Sequence, residues 1–304
     1  MKKIFSLFLV LTLILISGNL FSQDLDALLN AQTKPTINYA TATFKASRII
    51  NGHSIQQMKK KQLDFRISHR FGTLNEGGYG LWGLDHSNIH FSLEYGVTDW
   101  LMVGLGRGSN HKIYDSFVKF KLLRQSAGAK EMPVSLSFLT SVEAVSEHFP
   151  TTPIQLTPTT TTPRINYFSS RLTYVSQLLV ARKFNDKFSL QLTPTYIHRN
   201  FVPTELDQND IIAMGAGARY KLTKRLSINA EYYYTVNPNA KYLDTRYYNS
   251  ASIGIDLETG GHVFQIMLTN SQGMREGTFI PQTTDNWLDG GIHLGFNISR
   301  VFAL

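Results

Sequence analysis

The sequence predicts an all-β fold: a single antiparallel up-and-down transmembrane β-barrel of about 12 strands. Three observations lead to it. Apolar residues alternate with small or polar ones from Gly291 to Phe302, and the terminal aromatic Phe302 falls on the apolar side. Earlier segments alternate in the same way, and their connections are short and long in turn. Such alternation is typical of strands with one face on lipid and one on a wet lumen, and the loop asymmetry is typical of transmembrane barrels.

The chain divides into three predicted parts: a cleaved signal peptide at 1–22, a periplasmic or lumen-capping segment at 23–61 and the barrel at 62–304. Two lysines precede a largely apolar stretch from Ile4 to Ile16, and a cleavage site is expected after Ser22. The stretch is shorter than the about 20 residues that a membrane-spanning helix needs. We therefore expect the mature chain to be exported.

The barrel strands are predicted from the period-two spacing of apolar residues. Pro194 lies on one strand, where its missing N–H weakens the ladder, so a bulge is expected there. The apolar faces span residues 63–67, 89–95, 101–105, 118–122, 134–142, 172–180, 188–196, 212–220, 226–234, 251–257, 264–268 and 292–302.

The alternation of the connections predicts where the termini lie. If the short turns are periplasmic, the last strand runs inward and the first runs outward, which gives an even number of strands and two periplasmic termini. Thr41 to Ile50 could form a further strand, which would break this parity unless the segment stays in the periplasm or caps the lumen. We favour the capping or periplasmic position.

Composition excludes several other classes. The formal charge of +8 falls to 8 − 2 = +6 when the two lysines of the signal peptide are lost, and the basic residues are dispersed, so nucleic-acid binding is not expected. The absence of cysteine excludes disulfides, thiol chemistry and cysteine-ligated metals. The nine histidines show no spacing of metal ligands, and no cofactor is expected.

Ordered motifs occur along most of the mature chain: Arg48-Ile49-Ile50-Asn51-Gly52-His53, Phe65-Arg66-Ile67-Ser68-His69-Arg70, Tyr95-Gly96-Val97-Thr98-Asp99-Trp100, Tyr114-Asp115-Ser116-Phe117, Leu268-Thr269-Asn270-Ser271-Gln272-Gly273 and Gly295-Phe296-Asn297-Ile298-Ser299-Arg300. Together they resemble the β-barrel family catalogued as domain of unknown function 5777. The resemblance implies a barrel in the bacterial outer membrane and carries no established activity or site residues.

A set of charged residues on the lumen side of the early strands is the candidate ligand site. Basic side chains among them would suit a small anionic solute, such as a carboxylate or phosphate. The alternative is that these charges pair with one another and fill a narrow interior. The set comprises Asp64, Arg66, Arg70, His90, Glu94, Lys119 and Lys121.

An enzyme is not expected. The histidines His69 and His198 both fall on apolar faces, where a barrel enzyme could carry its site, but they belong to strands far apart in order. No nucleophile elbow or phosphate-binding glycine loop is present in the sequence. A catalytic barrel therefore remains the third alternative.

The leading functional prediction is a passive or weakly selective channel for small solutes, which requires a continuous wet lumen. The second is a closed structural, scaffolding or ligand-binding barrel, plugged and acting through its outer loops. A soluble periplasmic β-protein is a further class. The expected partners are the lipid bilayer and the barrel-assembly machinery, and the sequence leaves the oligomeric state open.

Overall fold

The structure is a computed structural model that describes residues 36–148, 154–157, 160–162, 167–202, 207–236 and 246–304. The predicted signal peptide at 1–22 lies outside the described residues, as does the predicted N-terminal segment up to residue 35. The chain forms two compact units. The larger contains the described residues from Tyr39 to Ser126 and from Met132 to Leu304, and the smaller contains the described residues 36–38 and Ala127–Glu131.

Sixteen strands are present in the described residues, and twelve of them close into one barrel. In chain order the strands are β1 Ile37–Tyr39, β2 Gln62–Thr73, β3 Ser87–Gly96, β4 Leu101–Gly108, β5 Ile113–Leu123, β6 Ser126–Gly128, β7 Ser135–Val145, β8 Ile154–Thr157, β9 Thr160–Thr162, β10 Leu172–Lys183, β11 Phe188–Arg199, β12 Asp210–Lys221, β13 Leu226–Val236, β14 Ser250–Thr259, β15 His262–Thr269 and β16 His293–Ala303.

The barrel is formed by β2 to β5, β7 and β10 to β16, each antiparallel to its neighbours, and β16 pairs with β2 to close it. This confirms the predicted all-β, twelve-stranded barrel. The short strands β1 with β6 and β8 with β9 form separate two-stranded sheets. Helical structure is limited to the short helix α1, Glu276–Phe279, and to 3₁₀ turns at Leu74–Glu76, Leu81–Gly83, Asn110–Lys112, Phe168–Arg171 and Trp287–Asp289.

Pro194 is accommodated without the predicted bulge. It faces Met214 of β12 in a continuous register, so the prediction was wrong. Because proline has no N–H to donate, hydrogen bonding is lost toward β10, the neighbour on the other side of β11. There the ladder omits the pairs at Thr193 and Pro194. Register shifts lie elsewhere, at His293/Gly295 against β2 and at Lys121/Leu123 against β7.

The two faces of the barrel wall differ in the way that the alternation predicts. Side chains such as Leu105, Ile212 and Ile266 point outward and are more than half exposed. A continuous apolar belt of this size is incompatible with water and fits lipid tails. In the part of the chain that the structure describes, no helix is long and apolar enough to cross a membrane.

The lumen is filled by two segments of the chain. The first, residues 42–58, is here called the plug, and it has no regular strand or helix apart from one isolated bridge between Arg48 and His53. Hydrogen bonds join the plug to β2 to β5 and to β11 to β16, ten of the twelve barrel strands. A segment bonded to so much of a closed ring lies inside it.

The second segment is residues 270–283 of the connection from β15 to β16, here called the lumen loop. It contains α1, and its side chains from Met274 to Glu276 are buried, as are Phe279 and Ile280. Phe279 and Ile280 pack among the inward apolar residues of β10 to β13. The plug and the lumen loop together occupy the interior that a wide barrel would leave to water.

Candidate functional site

The plug makes a tight reversal at its deepest point. Ser54 N–H donates to Ser47 O (2.8 Å) and Ile49 N–H donates to Gly52 O (2.9 Å), so residues 47–54 fold back on themselves. A side chain at Gly52 would come within 2.2 Å of the Tyr233 hydroxyl oxygen. Glycine is therefore required for this close approach of the plug to β13.

Glu231 of β13 holds the tip of this reversal. Its carboxylate accepts from the backbone N–H groups of Ile50 (3.4 Å), Asn51 (3.2 Å) and Gly52 (3.0 Å). Glu231 is buried, and a buried carboxylate is tolerated where several donors replace its hydration. This is the densest polar contact between the wall and the plug.

Further wall side chains bind the backbone of the plug around the ring. Gln265 donates to Ile49 O (2.9 Å), Asn297 donates to Ile50 O (3.0 Å), and Gln191 donates to His53 O (2.7 Å). Lys119 donates to Gln56 O (2.6 Å) and also to the carbonyl of Ser54. Arg219 donates to Ala42 O (2.9 Å). The inward polar residues thus serve as partners for the main chain of the plug.

Ion pairs connect the plug, the wall and the lumen loop. Arg48 of the plug pairs with Glu276 of the loop, with Nη1 2.7 Å from Oε1, and lies 3.9 Å from Glu94 of β3. Ser47 hydrogen-bonds Glu94, and Arg66 pairs with Asp64 at 2.9 Å. All these side chains are nearly fully buried, so the attractions act in a medium of low dielectric constant.

The lumen loop is held mainly by Arg275. Its Nε–H donates to His90 Nε2 (2.8 Å), and the same Nε forms an ion pair with Asp115, 3.0 Å from Oδ1. His90 Nε2 lies 2.6 Å from that oxygen. One residue beyond Glu276, the backbone N–H of Gly277 donates to Glu143 Oε1 (2.8 Å). The loop is thereby fixed to β3, β5 and β7.

The seven predicted ligand residues do not all come together. Six of them are buried in the lumen, and of these Arg66, Arg70 and His90 line one small cavity. Asp64 and Glu94 pair with neighbouring cations, and Lys119 binds the plug. Lys121 lies apart, near the short-turn end of the barrel, where it donates to Asp99 O (2.8 Å). Ligand binding by this set remains a prediction.

The small cavity lies where the plug, the wall and the lumen loop meet, and it has a volume of about 10 Å³. Its lining contains four arginines, Arg48, Arg66, Arg70 and Arg275, and no carboxylate. A second cavity of about 270 Å³ opens beside the lumen loop. It is lined by charged residues, Glu143, Arg171 and Arg199 among them, and by apolar ones such as Phe201.

Burial in the plug changes the acid–base behaviour of two side chains. It lowers the pKa of the Arg48 guanidinium, an effect opposed by the nearby Glu276 carboxylate. It also lowers the pKa of His53 well below the ordinary value, and the positive charges of Arg48 and Lys119 lower it further. The His53 imidazole is therefore neutral, and it packs edge-on against Phe117 with ring centroids 4.5 Å apart.

The two outward histidines considered for catalysis are separated as expected. His69 on β2 stacks on Phe296, with ring centroids 5.0 Å apart. His198 on β11 pairs with Asp210 at 2.7 Å, and Asp210 also accepts from Tyr196. In the described part of the chain no group of three or more His, Cys, Asp or Glu side chains could hold a metal ion.

A protein-family model described as a membrane-bound β-barrel domain, domain of unknown function 5777, matches residues 44–302. The chain belongs to this family. The match begins inside the plug, so the plug is part of the family's domain, and the resemblance noted from the sequence motifs is confirmed. No curated protein matches the chain.

Solved structures with similar topology are outer-membrane barrels of several kinds. An outer-membrane channel from Pseudomonas putida F1 has 11% identity and a TM-score of 0.49, over 81% of this chain and 97% of that one. The KdgM porin has 9% identity and a TM-score of 0.43, over 80% and 99%. Outer-membrane phospholipase A from Escherichia coli has 12% identity and a TM-score of 0.44, over 84% and 97%.

The candidate set from the sequence omits Arg48, Glu231, Arg275 and Glu276, because it was confined to the early strands. One signal was available. Leu179 and Ile211 are apolar and inward-facing on strands whose outward faces are also apolar. A strand that is apolar on both faces indicates packing against another segment rather than a wet lumen.

Proposed function

We propose that this protein is a bacterial outer-membrane channel that is closed in the state described here and opens when the plug moves. The observation that carries the proposal is the polar character of the contact between plug and wall. Glu231, Gln265, Asn297 and Lys119 hold the plug through hydrogen bonds that water could replace. Removal of the plug would leave a wall that accepts water.

The path of the chain favours withdrawal of the plug toward the short-turn end. On one side of the plug, Lys61 N–H donates to Gly96 O (2.9 Å) beside the turn from β3 to β4. On the other side, Ala40 N–H donates to Gln125 O (2.8 Å) just beyond β5. Because both ends of the plug lie at the same end of the barrel, it could leave without threading through the ring. We place this end in the periplasm, with both termini, by the usual asymmetry of the loops.

The expectation of an always-open passive pore is replaced in this proposal by a gated one. The lumen charges then act in two ways: they hold the plug in the closed state, and they line the aqueous path in the open state, where they could bias the passage of small anions. The second candidate is the closed structural barrel, which the same filled lumen supports if the plug never moves.

A reversible disulfide between plug and wall tests the proposal, because the chain has no cysteine of its own. A Cβ at Gly217 of β12 would lie 3.5 Å from Ile49 Cγ2 of the plug. The two positions are therefore in direct contact, and the double variant Ile49→Cys/Gly217→Cys brings two thiols together for a disulfide. The shorter side chain at 49 also relieves the crowding that the new one at 217 introduces.

The measurement is conductance of the refolded full-length protein in planar bilayers, across a range of voltages. We expect channel openings in the wild type, none in the oxidised double variant, and their return after reduction. Each single cysteine variant under the same oxidation is the control. If the wild type and the reduced variant are silent, although heat-modifiable gel mobility shows that they are folded, the closed structural barrel is supported. Steady conductance of the oxidised form would exclude the plug as the gate.

A further inference from the structure

The small cavity where the plug, the wall and the lumen loop meet is lined by guanidinium groups with unpaired hydrogen-bond donors. Arg48 Nη2, Arg66 Nε, Arg66 Nη1 and Arg70 Nε are buried and have no hydrogen-bond partner in the described part of the chain. These three residues are at most 4% exposed. Leaving a buried donor unpaired costs about 1–3 kcal/mol, and more for a charged group. Four such atoms on three adjacent guanidinium groups indicate a ligand that accepts hydrogen bonds.

The carboxylates nearest the cavity each pair with one arginine, although Asp64 Oδ1 and Glu94 Oε1 accept no hydrogen bond within the described residues. Glu276 binds Arg48 through Nη1, Asp64 binds Arg66 through Nη2, and Asp115 binds Arg275. None of these carboxylates lines the cavity. A water molecule that accepted from several guanidinium N–H groups would have few acceptors for its own hydrogens, whereas an anion accepts from all of them.

The size of the cavity limits the class of anion. A volume of about 10 Å³ corresponds to roughly one water-sized particle. A chloride or bromide ion is a single atom somewhat larger than water, so it would fit after a small shift of the lining side chains, whereas phosphate or an organic carboxylate is much larger. The carboxylate or phosphate suggested by the sequence is therefore too large for this position.

We propose that this cavity binds one small monovalent anion of halide size, which joins the plug, the wall and the lumen loop. Arg48 belongs to the plug, Arg66 and Arg70 to β2, and Arg275 to the lumen loop. The anion would therefore stabilise the assembled closed lumen. The site does not depend on the proposed channel function, because a barrel that never opens could bind the anion equally well.

Arg70 is the residue to change. Arg48, Arg66 and Arg275 each pair with a carboxylate, whereas Arg70 makes no ion pair within the described residues and is held by Asn51 and Asn297. Arg70→Gln thus removes one positive charge and one unpaired donor without leaving a carboxylate alone. The matched control is Arg219→Gln, another buried lumen arginine, which binds Ser227 and the main chain of the plug away from the cavity.

The first measurement is the unfolding midpoint of the full-length protein in detergent micelles, titrated with potassium chloride or bromide against potassium gluconate at equal ionic strength. A ligand that binds only the folded state raises the midpoint slowly below its Kd and with the logarithm of its concentration above it. We expect such a rise with halide in the wild type and in Arg219→Gln. In Arg70→Gln the Kd obtained from the curve should increase at least about tenfold, because a charged hydrogen-bond donor is lost.

Identical curves in halide and gluconate would overturn the proposal, as would equal losses in the two arginine variants. If Arg70→Gln does not fold, anomalous diffraction from wild-type crystals grown in bromide decides the question. A bromide peak between Arg48, Arg66 and Arg70 supports the site, and a bromide-soaked crystal without that peak overturns it. None of these readouts depends on conductance, so failure of the anion site and failure of the gate are distinguishable.

Discussion

The plug and the lumen loop fill the same lumen but are held in opposite ways. The plug is held chiefly by its own backbone: the carbonyls of Ile49, Ile50 and His53 and the amides of residues 50–52 are bound by side chains of the wall. The lumen loop is held by its own side chains: Arg275 and Glu276 make ion pairs, and Phe279 packs in an apolar cluster.

The two segments therefore differ in which side chains determine their contacts. For the plug they are side chains of the wall, whose inward polar groups are spaced to meet a main chain. For the lumen loop they are side chains of the loop itself. A change on the wall should therefore disturb the plug more than most changes in the plug itself. Arg48, which pairs with Glu276, is one exception. The four apolar plug residues Phe44, Ile49, Ile50 and Ile55 are others, because they pack against Leu179, Ala181 and Met267 of the wall.

The largest effect is expected from Glu231→Gln. The variant keeps the shape of the side chain, but it replaces a charged acceptor of three backbone N–H groups with an amide whose NH₂ opposes one of them. Hydrogen bonds to charged groups contribute about 1.5–3 kcal/mol each. We expect a loss of about 3–4 kcal/mol in the free energy of unfolding, measured with urea in detergent micelles, and more frequent channel openings.

Glu258→Gln is the matched control for this prediction. Glu258 also binds the plug, through Lys45, but its side chain is 42% exposed. A solvent-exposed ion pair contributes little, about 0–1 kcal/mol. The view that buried wall acceptors hold the plug would be wrong if the two glutamine variants lost similar amounts of stability.

The link between the two segments gives the second prediction. In a double-mutant cycle of Arg48→Met and Glu276→Gln, we expect each single variant to be strongly destabilised, because each leaves a buried charge without its partner. The double variant should be less destabilised than the sum of the two. The coupling free energy should be about 2 kcal/mol, within the range known for residues in direct contact.

A control cycle uses Arg48→Met with Asp285→Asn, a residue beyond the lumen loop that pairs with His293. Its coupling should be close to zero because Asp285 does not contact Arg48. Additive losses in the Arg48/Glu276 cycle would mean that the plug and the lumen loop close the lumen independently of each other.

The fold could be predicted from the sequence because, in each barrel strand, the alternation of residue types shows which side chains face outward and which face the lumen. Ile212 and Met214 point outward and Ile211 and Ala213 inward, as period two requires. The parity of the turns gave the even strand number. The bulge at Pro194 was mispredicted because the side of the ladder that loses a hydrogen bond depends on register, which the local sequence does not contain.

The site was only partly predictable for a physical reason. Arg66, Arg70 and His90 could be placed together because they lie on adjacent paired strands. Arg48 and Arg275 could not, since the plug and the lumen loop have no periodicity that fixes where they lie. The plug contacts residues as distant in sequence as Asn297, and those contacts use its main chain, which has the same atoms in every residue.

The smallest effect concerns pH and tests the plug alone. His53 is buried and neutral, since burial and the charges of Arg48 and Lys119 lower its pKa far below the value of about 6.5 for an unfolded chain. Below that pH the unfolded chain binds a proton that the folded protein does not, so stability falls as the pH falls. The decrease in the free energy of unfolding that is due to His53 should approach about 1.4 kcal/mol per pH unit once the pH is below 6.

Comparing variants isolates this contribution from the other titrating groups. The dependence of the unfolding free energy on pH between about 4.5 and 7 should be less steep in His53→Gln than in the wild type. His111→Gln, at a side chain that is 58% exposed, controls for the loss of a histidine outside the plug. If His53→Gln and the wild type have the same slope, His53 is protonated inside the barrel or reaches solvent. The tip of the plug would then be looser than the hydrogen bonds to Glu231 imply, and its contrast with the lumen loop would be lost.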